Sequence, residues 1–277
     1  LFRSVVFDID NSDERDYTKS YRQRRAAQRL RRGKGAVCMR QSAITCKAPA
    51  AVRRTRQREV RDPYDELRPW SAITHGAGAV LSAVGTALLL RLAILRGSGL
   101  LVTVFLIYGL SMTGLYTAST LYHCVNTSVA GRRALRKYDH CSIYLLIAGS
   151  YTPVCMVALR QSSGPALLAA VWAVGVVGMV LTVAKLEIPR WLTSAIYLLM
   201  GWLAIFAIVP LYRALPAAGF AWLLVGGLLY TVGGVLYAVK WPGRNNPRFG
   251  CHEIFHVFIL LGSVCHFVLM YQVIARM

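Results

Sequence analysis

Acidic residues are nearly absent from most of this 277-residue chain: positions 69–277 hold only Asp139, Glu187 and Glu253. A soluble surface of that size needs both signs of charge in quantity, so an ordinary soluble domain is excluded there. The seven cysteines are irregularly spaced and include no CxxC pair. That excludes a disulfide framework and a cysteine-built zinc ribbon. No segment offers a large folded extramembrane domain, which favours a small or lipid ligand over a protein one. The apolar stretches lack a polar stripe wide enough to line water, which argues against a pore. No Asn-Pro-Asp-Gly-like string accompanies Asp139, which argues against intramembrane proteolysis.

What is present is apolar and basic. Hydrophobic residues make up 56% of the chain, mean hydropathy is +0.46 and net charge is +20, the profile of a polytopic membrane protein. Residues 1–68 carry 18 Lys/Arg and 9 Asp/Glu, including a run from Arg22 to Arg32. This stretch reads as a disordered basic tail lying near anionic lipid. No aromatics are interleaved with the run, so nucleic-acid binding is not expected. From Met39 to Arg58 there is no acid, while Ala, Thr and Arg abound, as in an organelle transit peptide. Met39 is therefore the expected start, with residues 1–38 an upstream extension.

From Trp70 onward, apolar runs of about 20 residues recur, each long enough to cross hydrocarbon. We place seven spans at about 71–95, 100–122, 140–159, 165–184, 191–211, 219–239 and 252–274. The expected fold is an all-α, seven-transmembrane helix bundle occupying 69–277. Lys and Arg in the even-numbered connections outnumber those on the other side nine to five, and the basic tail adds to the majority. Basic residues stay on the cytoplasmic side, so the N-terminus is expected inside.

The last span opens with Cys251-His252-Glu253-Ile254-Phe255-His256. On a helix, His252 and His256 project from one face a turn apart and can share one Zn²⁺, which favours nitrogen ligands. The H-E-x-x-H string marks a protease helix in soluble zinc enzymes, but here a membrane span continues from it. Span 2 ends at Ser119-Thr120-Leu121-Tyr122-His123, again with an i, i+4 pair. Span 3 opens at Asp139-His140. Under the inside topology, His123, Asp139, His252 and His256 all come to one depth at the cytoplasmic side. Histidines and acids inside spans are functional candidates by default.

These residues resemble the progestin and adipoQ receptor/hemolysin III family, most closely its hemolysin III branch. The resemblance is carried by Ser119-x-x-x-His123, by Asp139 leading into Ile147-Ala-Gly-Ser-Tyr-Thr-Pro153, and by His252-x-x-x-His256 followed by His266-Phe267. Ile73-Thr-His-Gly76, preceded by Glu66, fits as well. It covers about residues 65–277. Pro69-Trp70-Ser71 stands where family members often have an Asn shortly before Thr-His-Gly. The resemblance implies that His123, His252 and His256 ligate Zn²⁺. It also implies that Asp139 holds or activates a water at the metal, with Ser119 in support. Related adiponectin receptors and alkaline ceramidases imply amide hydrolysis of a ceramide-like lipid.

Other residues are secondary candidates. Glu253 is expected beside the ligands or as a general base, and His75 and His266 as supporting polar groups within the bundle. His140 and Tyr122, Tyr138 and Tyr151 are expected as interfacial or packing residues. Cys124, Cys141 and Cys251 are expected as small buried residues rather than ligands. The leading function is a zinc-dependent hydrolase of a lipid amide whose substrate enters from the bilayer. The alternative is a receptor with structural zinc and a small lipid ligand, and a pore is the least favoured reading. The membrane is expected to be a plasma or organelle membrane. Gly175/Gly178 and Gly226/Gly227 are commonplace in packed spans and specify no oligomeric state.

Overall fold

The computed structural model describes residues 67–184, 190–243 and 249–277; side chains 190 and 191 are excepted. Residues 1–66 of the tail read over 1–68, with Met39 and Glu66 among them, lie outside the described residues, as do Glu187 and the basic residues Lys185, Arg244 and Arg248. Every regular element among the described residues is helical. The helices are α1 (Pro69–Leu95), α2 (Gly99–Cys124), α3 (Val129–Pro153), α4 (Gly164–Val183), α5 (Arg190–Trp202), α6 (Ile208–Ala214), α7 (Ala217–Ala238) and α8 (Cys251–Gln272). Seven segments are long and apolar enough to cross a membrane, the fifth being α5 and α6 joined through Leu203–Ala207. The chain is thus an integral multi-pass membrane protein.

Local chemistry sets most of the helix ends. Pro69 occupies the first turn of α1, where a missing N–H costs nothing. The other end of α1 closes on Gly97, at φ 63°, whose N–H donates to the Ile94 carbonyl while Ser98 N–H donates to Ala93. Only glycine takes that left-handed turn without strain. Ser98 and Ser128 cap α2 and α3 by accepting from Leu101 N–H and Gly131 N–H.

Two elements differ from the sequence expectation. The third span starts at Val129, about three turns before the expected 140, because a polar segment with Arg132, Arg133, Arg136 and Lys137 continues the helix. Hydropathy cannot see that extension. Arg132 is buried: its guanidinium donates to the carbonyls of Tyr122 and Val125 at the end of α2 and lies over the Tyr122 ring. A cation there satisfies orphan carbonyls and the helix dipole together. The fifth span is broken at Leu203–Ala207, just before Pro210, which lacks an N–H and crowds the carbonyl four residues earlier. Backbone freed inside a membrane must find partners. Tyr151 on α3 supplies them, its hydroxyl accepting from Ala204 N–H at 2.8 Å and donating to the Gly201 carbonyl at 2.7 Å. It is a stitch within the bundle rather than an interfacial anchor.

Around the bundle, α1 packs on α2, α2 on α3, α3 on α4 and α5, α5 on α7, and α7 on α8, which closes the ring against α1. Leu89, Phe105, Tyr108, Met112, Leu211, Leu269 and Ile274 fill the half of the bundle farther from the start of α8. Large apolar side chains such as Val80, Leu110, Val180 and Phe206 remain exposed, as a lipid-facing surface requires.

Candidate metal centre

Three histidines meet where α2 ends and α8 begins. Ligand-capable atoms of His123, His252 and His256 all lie within 4.8 Å of one another. Ring centroids are 4.9 Å apart for His123–His252, 5.1 Å for His123–His256 and 4.5 Å for His252–His256. His123 and His256 are buried. The helical spacing of His252 and His256 delivers two rings from one face, and the antiparallel end of α2 delivers the third.

The donor set fits a metal ion on two counts. Nitrogens bound at about 2.0–2.1 Å to one tetrahedral ion lie about 3.3–3.4 Å apart. Nε2 of His123 and Nε2 of His252 are 3.2 Å apart, close to that edge. Nδ1 of His256 is also buried without a hydrogen-bond partner, so the protein alone leaves that ring under-satisfied.

Around the trio stand further polar groups. His75 of α1 stacks on His256, centroids 3.6 Å apart and planes inclined by 12°, and meets Tyr116 edge-on at 5.0 Å. Two parallel rings so close cannot both aim in-plane lone pairs at one ion, so His75 supports the ring of His256 rather than joining the trio. The hydroxyl of Tyr116 donates to Ser263 Oγ at 2.7 Å, and Tyr230 shares the same oxygen at 3.0 Å. Tyr116 reaches Ser263 past Gly78, where an added Cβ would come within 2.7 Å of the ring.

Ser119 is buried one turn before His123 and lies beside the Asp139 carboxyl of α3. Asp139 thus joins the site's surroundings through Ser119. Its Oδ2 lies 4.0 Å from His140 Nδ1, which sits 2.7 Å from the Arg136 carbonyl oxygen. Both Glu253 oxygens are engaged: Oε1 accepts from Arg68 and Ser71, and Oε2 caps α8 by accepting from Gly250 N–H. His266 lies ten residues beyond His256, about 15 Å along the helix, against Tyr230 and Gly226. The trio and His266 are therefore separate. Cys251 is buried, whereas Cys124, the last residue of α2, is exposed.

Sequence reading missed Arg68, Ser71, Tyr116 and Ser263. Periodicity carried a signal for three of them: Tyr116, Ser119 and His123 form one helical stripe, Ser263 extends the stripe of His252 and His256, and Ser71 sits one turn before His75. Arg68 carried none, since it ends a tail full of arginines.

A seven-span bundle with a histidine cluster between its second and last spans defines the class of protein. A family model described as "Haemolysin-III related" matches residues 68–267. The chain is 38% identical over 197 residues to Hemolysin-3 of Bacillus cereus, covering 71% of this chain and 87% of that one. To the Hemolysin-3 homolog of Bacillus subtilis (strain 168) it is 40% identical over 197 residues, covering 71% and 89%. A more distant likeness, 28% over 156 residues, is to the adiponectin receptor protein of Drosophila melanogaster, covering 50% of this chain and 35% of that one. The chain belongs to the haemolysin III-related family, with the adiponectin receptors as more distant relatives.

Proposed function

We propose that this protein is a zinc-dependent hydrolase of a lipid amide of ceramide type, working within the membrane. One observation carries the reading: three imidazoles converge with two nitrogens 3.2 Å apart, one helical turn from a buried serine beside the carboxylate of α3. His123, His252 and His256 would hold the ion and leave a tetrahedral position open, as catalytic zinc sites do. Bound there, zinc would supply Lewis acidity and bring the pKa of a water to about 7. Asp139 takes a proton on its carboxylate and returns it to the leaving amine, the general acid–base role. Ser119 would donate to that carboxylate and fix its direction, while His75 holds the ring of His256. The basic tail and the even-numbered connections lie inside, so the centre sits at the cytoplasmic depth of the bilayer and receives its lipid laterally.

The receptor reading keeps one observation in its favour, the likeness to a protein named as a receptor. In that case the metal would brace the bundle and its loss would cost stability first.

Metal content of the detergent-purified protein tests the proposal. Wild type should hold about one zinc per chain, and a His252→Ala/His256→Ala double variant should hold none. Carefully prepared wild type without zinc would overturn the mechanism and leave the seven-span fold standing. With zinc present, ceramide hydrolysis is the assay that separates enzyme from receptor.

A further inference from the structure

We infer that the entry to α1 is a strap that sets the spacing of the metal-binding helices, with Arg68 and Glu253 as positioning residues for the centre. The inference rests on the zinc reading above. It starts from an arrangement of helices: α1 packs along both α2 and α8, whereas α2 with α8 is not among the close helix pairs. Yet His123 comes from α2, and His252 and His256 from α8. Something must hold the two ends in register, and α1 lies against both.

Two brackets do so at different depths. The deep one is neutral, Tyr116 on α2 donating to Ser263 on α8. The rim bracket is ionic and touches the ligands' own neighbours. Arg68 N–H donates to the carbonyl of His123 at 3.1 Å, and its Nη1 donates to Glu253 Oε1 at 3.2 Å. Ser71 Oγ donates to the same carboxylate oxygen at 3.0 Å, and Oε2 accepts from Gly250 N–H at 2.9 Å. One residue therefore bonds the backbone of a ligand on α2 and the side chain that follows a ligand on α8. Glu253 is buried, and a buried carboxylate is held by the cation and donors that satisfy it. With both oxygens occupied it serves position, not proton transfer.

Removing the guanidinium leaves the backbone bond to His123 and the Ser71 bond to Glu253, but takes away the ionic link that ties the end of α2 to the start of α8. The histidine nitrogens then lose a fixed separation while the deep bracket keeps the helices assembled. Outer partners of this kind are worth about 10–100-fold in metal affinity.

Zinc affinity of the full-length protein, by competition with a chelator, tests the strap, with the metal-free unfolding temperature measured beside it. Arg68→Ala should weaken zinc by about tenfold or more, Arg68→Lys should recover most of the loss, and Glu253→Gln should weaken it too. Trp202→Phe, which removes a remote bond to Thr231, should lower the unfolding temperature and leave zinc affinity unchanged. Should Arg68→Ala fail to fold, Glu253→Gln decides. Wild-type affinity, within about twofold, in whichever variant decides overturns the strap while leaving the zinc centre intact. A wild type that binds no zinc overturns the proposed function and the strap together.

Discussion

Asp139 and the histidines differ in what their removal should do. The histidines would hold the ion, so losing them removes zinc and the stability it lends. Asp139 touches Ser119 rather than the trio, so its loss should spare the metal. Asp139→Asn keeps the shape and one acceptor oxygen but cannot take up the proton. We expect zinc content to stay at the wild-type level while ceramide hydrolysis falls by about 10²–10⁴-fold. Ser119→Ala should cost less, since it only loosens the carboxylate. Equal loss of zinc and turnover in Asp139→Asn would instead make the carboxylate a ligand.

At the scale of elements, the break in the fifth span makes the sharpest prediction. Tyr151→Phe keeps the ring and removes the oxygen that serves Ala204 N–H and the Gly201 carbonyl. With no water in hydrocarbon, the orphaned N–H should cost about 1–3 kcal/mol, read as a lower unfolding temperature with zinc still bound. Gly78→Ala tests the crossing of Tyr116, because the new methyl meets the ring at 2.7 Å. It should cost about 1–3 kcal/mol in the wild type, and add little when introduced into a Tyr116→Leu variant that already lacks the ring. The spans themselves were legible in the sequence, since apolar length and loop chemistry act locally. The start of α3 was not, because Arg132 becomes buried only when α2 presents its terminal carbonyls. Ligand candidates could be read from i, i+4 spacing. Arg68 could not, for its role exists only once α8 returns to α1.

Across the whole molecule, the expected inside orientation of the N-terminus can be checked with cysteine labelling. Cys124 is exposed at the end of α2, where the site lies, while Cys155 and Cys265 are buried. With Cys38 and Cys46 replaced by Ser, a membrane-impermeant thiol reagent should leave the protein unlabelled on intact cells and label Cys124 after permeabilisation. Gln161→Cys, in the connection from α3 to α4, should be labelled on intact cells; the reverse pattern would invert the topology. The strap also places the entry to the first span beside the start of the seventh. Arg68 and Glu253 are 185 residues apart in the chain, and the first six spans are threaded into the membrane between them. Arg68 therefore waits unpaired until the seventh span arrives, and two of the three histidines arrive with it. A chain cut short before its seventh span would hold His123 alone, so under the zinc reading ion capture would report that this span is in place.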